Sequence, residues 1–226
     1  YGMETGSPTM LKIMEKRVRI EDNYNAIKWT VEAGLSTTIQ LVLGMPGETP
    51  ETIAETSRFA QYGMTIKPDQ SPNIISINYA QALPGTPVYE YARHNKIIGQ
   101  TLEEEEQYLL KISDKDAADA SEQLNLTKYP KLQCETWSHL ISIEVNYHFV
   151  KKYGIKKYQR QLLNNPTFFP KESKQLNQPS NSKNIASSGF ASESSLHNAS
   201  QRYKLENNDK VPGIASLIKA KELGLL

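Results

Sequence analysis

The chain contains one cysteine, Cys134, in 226 residues. That excludes an internal disulfide and any cysteine-rich metal site built from this chain alone. No apolar run approaches the roughly 20 residues that a membrane-spanning helix needs. Neither sign of charge is in excess, with 26 Lys plus Arg against 25 Asp plus Glu. Broad electrostatic attraction to nucleic acid or to an acidic membrane surface is therefore not expected. The opening residues, "YGMETGSPTM", lack the basic and apolar zoning of a secretory signal. Phosphate loops are missing too: neither G-x-G-x-x-G nor G-K-S/T occurs, which weighs against an ordinary phosphate-binding α/β enzyme. The expectation is a soluble, cytoplasmic protein with no membrane partner. Tyr1 is not an initiator residue, so the chain reads as a fragment of a longer protein.

What the chain does have is one punctuation mark used three times. Gly6-Ser7-Pro8, Gly47-Glu48-Thr49-Pro50 and Gly85-Thr86-Pro87 each precede a helical-looking run. A hydroxyl residue before proline is an N-cap followed by the first helical position. The hydroxyl accepts from an orphan N–H, and proline has none to leave unpaired. Ser7, Thr49 and Thr86 lie 42 and 37 residues apart, a spacing that suits strand, loop, helix and return.

Apolar runs precede the second and third marks. Thr37 to Leu43 is bounded by Gly34 and Gly44, and Asn73 to Ala80 by Pro72 and Pro84. Both are mostly apolar on both faces, as in strands buried within a parallel sheet. Between the first two units Tyr24, Ile27 and Val31 share a helical face, with Gly34 as the stop. Repeated strand–helix units imply parallel strands with right-handed crossovers, in a barrel or a doubly wound sheet. Ligands then sit at the C-terminal ends of the strands. The stretch "LGMPGETPE", Leu43 to Glu51, lies at such an end. Its two glycines and proline fit either a plain tight turn or a place where backbone approaches a ligand.

Three segments carry a family likeness. "YGMETGSPTMLKIMEKRVRIEDNYNAIKWTVEAGL" resembles a pattern of G-x-E-S/T-G-S, L-K-x-M-x-K and a helix ending in A-G. "LVLGMPGETPETIAET" resembles the G-x-P-G-E-T segment that follows it, and "YAQALPGTPVYEYA" the later P-G-T-P-x-Y-x-x-A. Together they resemble the second half of the catalytic domain of radical S-adenosylmethionine enzymes. The group that often carries an upstream cobalamin-binding domain is the most similar. The likeness covers residues 1–95 and fades beyond Asn95.

The resemblance implies an α/β fold, a partial (β/α)6 TIM-like barrel whose later strands end at Gly2-Met3-Glu4, Leu43-Gly44 and Tyr79-Ala80. It implies reductive cleavage of S-adenosylmethionine at a 4Fe-4S cluster, an electron donor such as flavodoxin or ferredoxin, and a small-molecule substrate. The upstream half of the same barrel would be a further partner. The family's C-x-x-x-C-x-x-C cluster loop is absent here, so its ligands lie outside this chain, which alone should be inactive. Glu4 would meet ribose hydroxyls or the methionyl ammonium, or else act as a capping carboxylate. Ser7 is divided between N-cap and ribose contact. Leu43, Gly44 and Met45 would offer backbone groups to the adenine edge. Glu48 reads as structural. Gln40 or Asn78 would point into the barrel, but strand register is not readable from sequence.

The remainder carries little chemistry. Glu103 to Glu106 read as a solvated first turn of a helix. Residues 132–153 read as a long amphipathic helix packed through Trp137, Leu140, Ile141, Val145 and Phe149. Glu135–His139 and Glu144–His148 have helical spacing, but their nine-residue offset is about half a turn out of phase at 3.6 residues per turn. The two pairs are not expected to share an ion. Cys134 reads as a small buried hydrophobe. Residues 166–210 are Ser-, Asn- and Gln-rich and expected to be disordered. A short helix is expected within 211–226. The expected organisation is a half-barrel over 1–95, a helical extension over 96–165, then tail and helix. The functional expectation is radical methylation or ring-forming chemistry. The alternatives are methylthio transfer, or a non-catalytic α/β scaffold without the cluster.

Overall fold

The computed structural model describes residues 1–113, 117 and 123–163. Three short strands, β1 (Gly2–Glu4), β2 (Gln40–Leu43) and β3 (Ser76–Tyr79), form a parallel sheet in that order. Helices α1 (Pro8–Ile13) and α2 (Ile20–Glu32) follow β1, α3 (Pro50–Met64) follows β2, and α4 (Pro87–His94) follows β3. Helices α5 (Leu102–Ser113), α6 (Lys131–Tyr153) and α7 (Ile155–Leu163) come after. The class is α/β, mostly helical around a small parallel sheet. One compact unit runs from Tyr1 to Tyr158, and a second begins at Gln159. The expected tail over 166–210 and the helix within 211–226 lie outside the described residues.

The punctuation works as the side chains dictate. Ser7 accepts the Met10 N–H at 3.4 Å, Thr49 the Thr52 N–H at 3.3 Å and Thr86 the Tyr89 N–H at 3.2 Å. Proline follows each cap at the first helical position. Thr52 also returns a bond from its own hydroxyl oxygen, accepting the Thr49 N–H at 2.9 Å. Gly6 is needed for contact: a Cβ there would lie 2.8 Å from the Thr56 Cα on α3.

Both apolar runs yield shorter strands than expected. Of Thr37 to Leu43, Gln40–Leu43 form β2. The Thr37 carbonyl is taken by the Gln70 side chain at 3.0 Å, so a side chain serves the backbone where a ladder was expected. Of Asn73 to Ala80, Pro72–Ile74 form a single 3-10 turn and the strand starts at Ser76. The Ser71 hydroxyl accepts the Asn73 N–H at 3.3 Å. A local bond of this kind competes with sheet pairing.

Register assigns the two faces. Gln40 lies beside Ser76, Val42 beside Asn78, and Leu43 beside Tyr79. Met3, Leu41, Leu43 and Tyr79 pack on one face with Ile27 of α2 and Phe59 and Met64 of α3. Cys134, Trp137, Ile141 and Val145 of α6 join the same core. The long extension helix is therefore part of the sheet's own packing. Leu140, expected in that stripe, is 46% exposed. It lies about 100° around the helix from Ile141, off the buried line.

The other face is different in kind. Gln40 is exposed, and Val42, Ser76 and Asn78 are half-buried. Parallel sheets are ordinarily apolar and covered on both sides. Here the covered face is apolar and the opposite one carries amide and hydroxyl side chains. Toward the strand ends, Val42 and Met45 pack with Ala80, Ala82 and Tyr89 in a second, smaller cluster.

Candidate functional site at the strand ends

Because the strands are parallel, β1, β2 and β3 all finish on one rim. Glu4 closes β1 with φ 63°. Left-handed backbone is uncommon for a residue with a Cβ, and such strain concentrates at functional positions. The Thr5 N–H turns back onto the Met3 carbonyl at 2.8 Å. The Glu4 side chain folds over Gly2, where a Cβ would meet Oε1 at 3.0 Å. Lys16 Nζ donates to the same oxygen at 2.7 Å, and the Glu4 side chain stays 21% exposed. Glu4 is thus an ion-paired, accessible carboxylate. The cap of α1 is Ser7.

Ser7 is fully buried, and its carbonyl accepts the Leu11 N–H at 2.9 Å. Its hydroxyl caps α1, and its N–H donates to Thr5 Oγ1 at 3.1 Å. Thr5 Oγ1 in turn pairs with Thr56 Oγ1 at 2.9 Å. Of the two roles open for Ser7, the cap is the one the geometry displays.

Leu43, Gly44 and Met45 follow at the end of β2. The Leu43 carbonyl accepts the Ala80 N–H at 2.8 Å. Gly44 has φ 77°, and a Cβ there would sit 3.1 Å from the Tyr79 ring. The Tyr79 ring thus lies close against the Gly44 backbone. The Gly44 N–H donates to Glu48 Oε2 at 2.5 Å. Met45 is half-buried, and its carbonyl accepts the Glu48 N–H at 3.1 Å.

Glu48 reads as structural in the sequence, and what the sequence does not show is its burial against Gly44. It is 1% exposed. Burial pushes its carboxyl up from 4.5 to about 7, against the opposing pull of the Gly44 and Met45 N–H groups. Oε2 serves Gly44, while Oε1 is buried without a hydrogen-bond partner. In sequence it reads as a carboxylate just ahead of a helix. Nothing local reveals that it tucks under its own loop.

Tyr79 closes β3. Its hydroxyl donates to the Cys134 carbonyl at 2.9 Å and accepts the Ser138 N–H at 3.4 Å. Burial raises its pKa. Cys134 is buried, as expected, with Sγ 3.0 Å from Thr127 Oγ1, and burial pushes its thiol up. A protonated, enclosed thiol is a poor metal ligand. Among the described residues no group of three or more His, Cys, Asp and Glu is placed to hold a metal ion. Glu135 pairs with Lys131 at 3.7 Å, and Glu144 accepts from Ser57 and Gln61. No described helix is long and apolar enough to cross a membrane.

No family model matches the chain. Over 103 residues it is 28% identical to an uncharacterized methyltransferase of Pyrococcus horikoshii. The match covers 43% of this chain and 20% of that protein, so the chain spans about a fifth of its relative's length.

Proposed function

We propose that the chain is part of an S-adenosylmethionine-dependent enzyme that transfers a methyl group or forms rings by radical chemistry. The observation that carries this reading is the polar, partly exposed face of the sheet, seen among the described residues. Gln40 and Ser76 open their strands, whereas Glu4 ends β1 and Asn78 stands one residue before the end of β3, so an acceptor and an amide lie toward the C-terminal ends of the parallel strands. That is where a polar ligand of a β/α fold binds. The order of the three sequence segments and the partial similarity to a protein named as a methyltransferase support the same reading.

Glu4 is the residue of this chain best placed to meet the ribose or the ammonium group. It is an accessible carboxylate at a strand end, with strained backbone and a lysine partner. The backbone of Gly44 and Met45 would border the adenosyl portion, its shape set by Glu48. The bound cofactor would supply an activated methyl group and an adenosyl group. The residues present do not fit an iron–sulfur cluster, since Cys134 is solitary and enclosed. Cluster ligands, and any cobalamin domain, belong in this reading to sequence outside the chain.

The test is chemical. The full reading frame containing this chain is purified without oxygen and incubated with S-adenosylmethionine and a reductant. The expected result is about four irons per protein, with release of 5′-deoxyadenosine. A folded protein with neither iron nor product overturns the radical reading. Methyl transfer without iron would redirect it to ordinary polar methylation.

A further inference from the structure

We propose that Glu48 is the positioning residue of the β2 loop: by accepting the Gly44 N–H, its carboxylate locks the Gly44–Met45 backbone in the shape that meets the adenosyl part of the ligand. The inference rests on the functional reading above.

Glu48 is not needed as a helix cap. Thr49 and Thr52 close the start of α3 reciprocally through their own hydroxyls. What Glu48 does is reach back four residues, under the loop, to the first N–H beyond β2. Its own N–H donates to the Met45 carbonyl at 3.1 Å, so one residue fastens both Gly44 and Met45. The loop it holds is able to change shape. Gly44 and Gly47 stand at φ 77° and 86° on either side of Met45-Pro46. Such glycines have more than one backbone basin open to them.

The lock is set weakly for a carboxylate. Among the described residues, Tyr79 on β3 and Cys134 on α6 feel its charge, and neither carries a positive one. Oε1 has no donor. With its pKa near 7, the acid and its anion are both populated at neutral pH. The anion is the stronger acceptor for the Gly44 N–H. Protonation therefore loosens the loop, and adenosyl affinity falls with it.

The test uses the full chain, labelled for NMR. The Gly44 amide proton is followed from about pH 5.5 to about pH 8.5. A single titration step with its midpoint near 7 is expected, and its absence in Glu48→Gln. A flat Gly44 resonance in the wild type overturns the lock. In parallel, affinity is measured for 5′-methylthioadenosine, a neutral nucleoside across this range. It should weaken below the midpoint, by up to about tenfold per pH unit, and become independent of pH in Glu48→Gln. Binding with equal affinity at all pH values overturns the positioning role. A titrating Gly44 with no nucleoside binding at any pH supports the lock and overturns the S-adenosylmethionine reading instead. Should Glu48→Gln fail to fold, the wild-type titrations alone decide.

Discussion

The Tyr79 hydroxyl donates to the Cys134 carbonyl at 2.9 Å, joining the end of β3 to the first turn of α6. The ring that carries this hydroxyl lies against Gly44 at the end of β2. One side chain thus links two strand ends and the extension helix. The rim of the sheet and α6 are expected to lose order together.

Tyr79→Phe keeps the ring and removes the hydroxyl. The buried Cys134 carbonyl and Ser138 N–H lose that partner. Stability should fall by about 1–2 kcal/mol. A urea titration checks this: the midpoint moves down with the slope unchanged. An unaltered midpoint would mean that water replaces the hydroxyl.

Gly44→Ala meets two penalties. Its φ of 77° is strained for any residue with a Cβ, and the new methyl would press on the Tyr79 ring at 3.1 Å. Gly34→Ala, at φ 79° with nothing near, meets only the first. The backbone penalty alone is about 1 kcal/mol. Gly44→Ala should therefore destabilise more than Gly34→Ala when both melts are compared. Equal losses would show that Tyr79 moves aside freely.

Helices α3 and α6 are joined by a polar contact inside an apolar interface. Ser57 Oγ donates to Glu144 Oε2, and Gln61 Nε2 donates to the same oxygen at 3.2 Å. Glu144→Ala leaves the Ser57 hydroxyl, on a residue 1% exposed, without that acceptor. A loss of about 1–3 kcal/mol is expected. The double variant with Ser57→Ala should cost less than the sum of the two single changes, with a coupling of roughly 0.5–3 kcal/mol. Strict additivity in a double-mutant cycle would remove the contact from the interface energetics.

Glu48 makes stability depend on pH. Its native pKa lies above its ordinary value, so between 4.5 and about 7 the folded chain binds more protons than the unfolded one. Stability falls as pH rises through that window, and the full loss is present above it. The displacement corresponds to on the order of 3 kcal/mol. Glu48→Gln should flatten this part of the profile and be the more stable protein at about pH 8.5. Denaturation curves at several pH values measure it, and parallel profiles for the two proteins would sink the assignment.

Much of the local architecture was legible in the residues. Ser7, Thr49 and Thr86 cap three helices because a hydroxyl before proline has one good use at that point in a chain. Gly34 ends α2, and Leu43-Gly44 ends a strand, because only glycine takes the left-handed backbone there without strain. A long helix was expected over 132–153 and stands at 131–153. These are short-range effects, decided within a turn or two of chain.

The site was legible only as a place. Sequence put Glu4, Gly44 and Met45 at strand ends. It did not reveal that Lys16 would take Glu4, that Tyr79 would lie on Gly44, or that Leu140 would face outward. Those outcomes depend on which surfaces meet.

Composition, caps and turn residues by themselves determined that this is an α/β chain of parallel strand–helix units with its strand ends on one rim. Each such signal is an interaction between near neighbours, and no long-range contact is needed to set it. Tertiary structure alone decided that, among the described residues, one sheet face is polar and partly exposed, that α6 is part of the core, and that Glu48 is buried. Register sets the first of these, and packing sets the other two. A carboxyl's pKa responds to how much water surrounds it, and only the folded chain determines that.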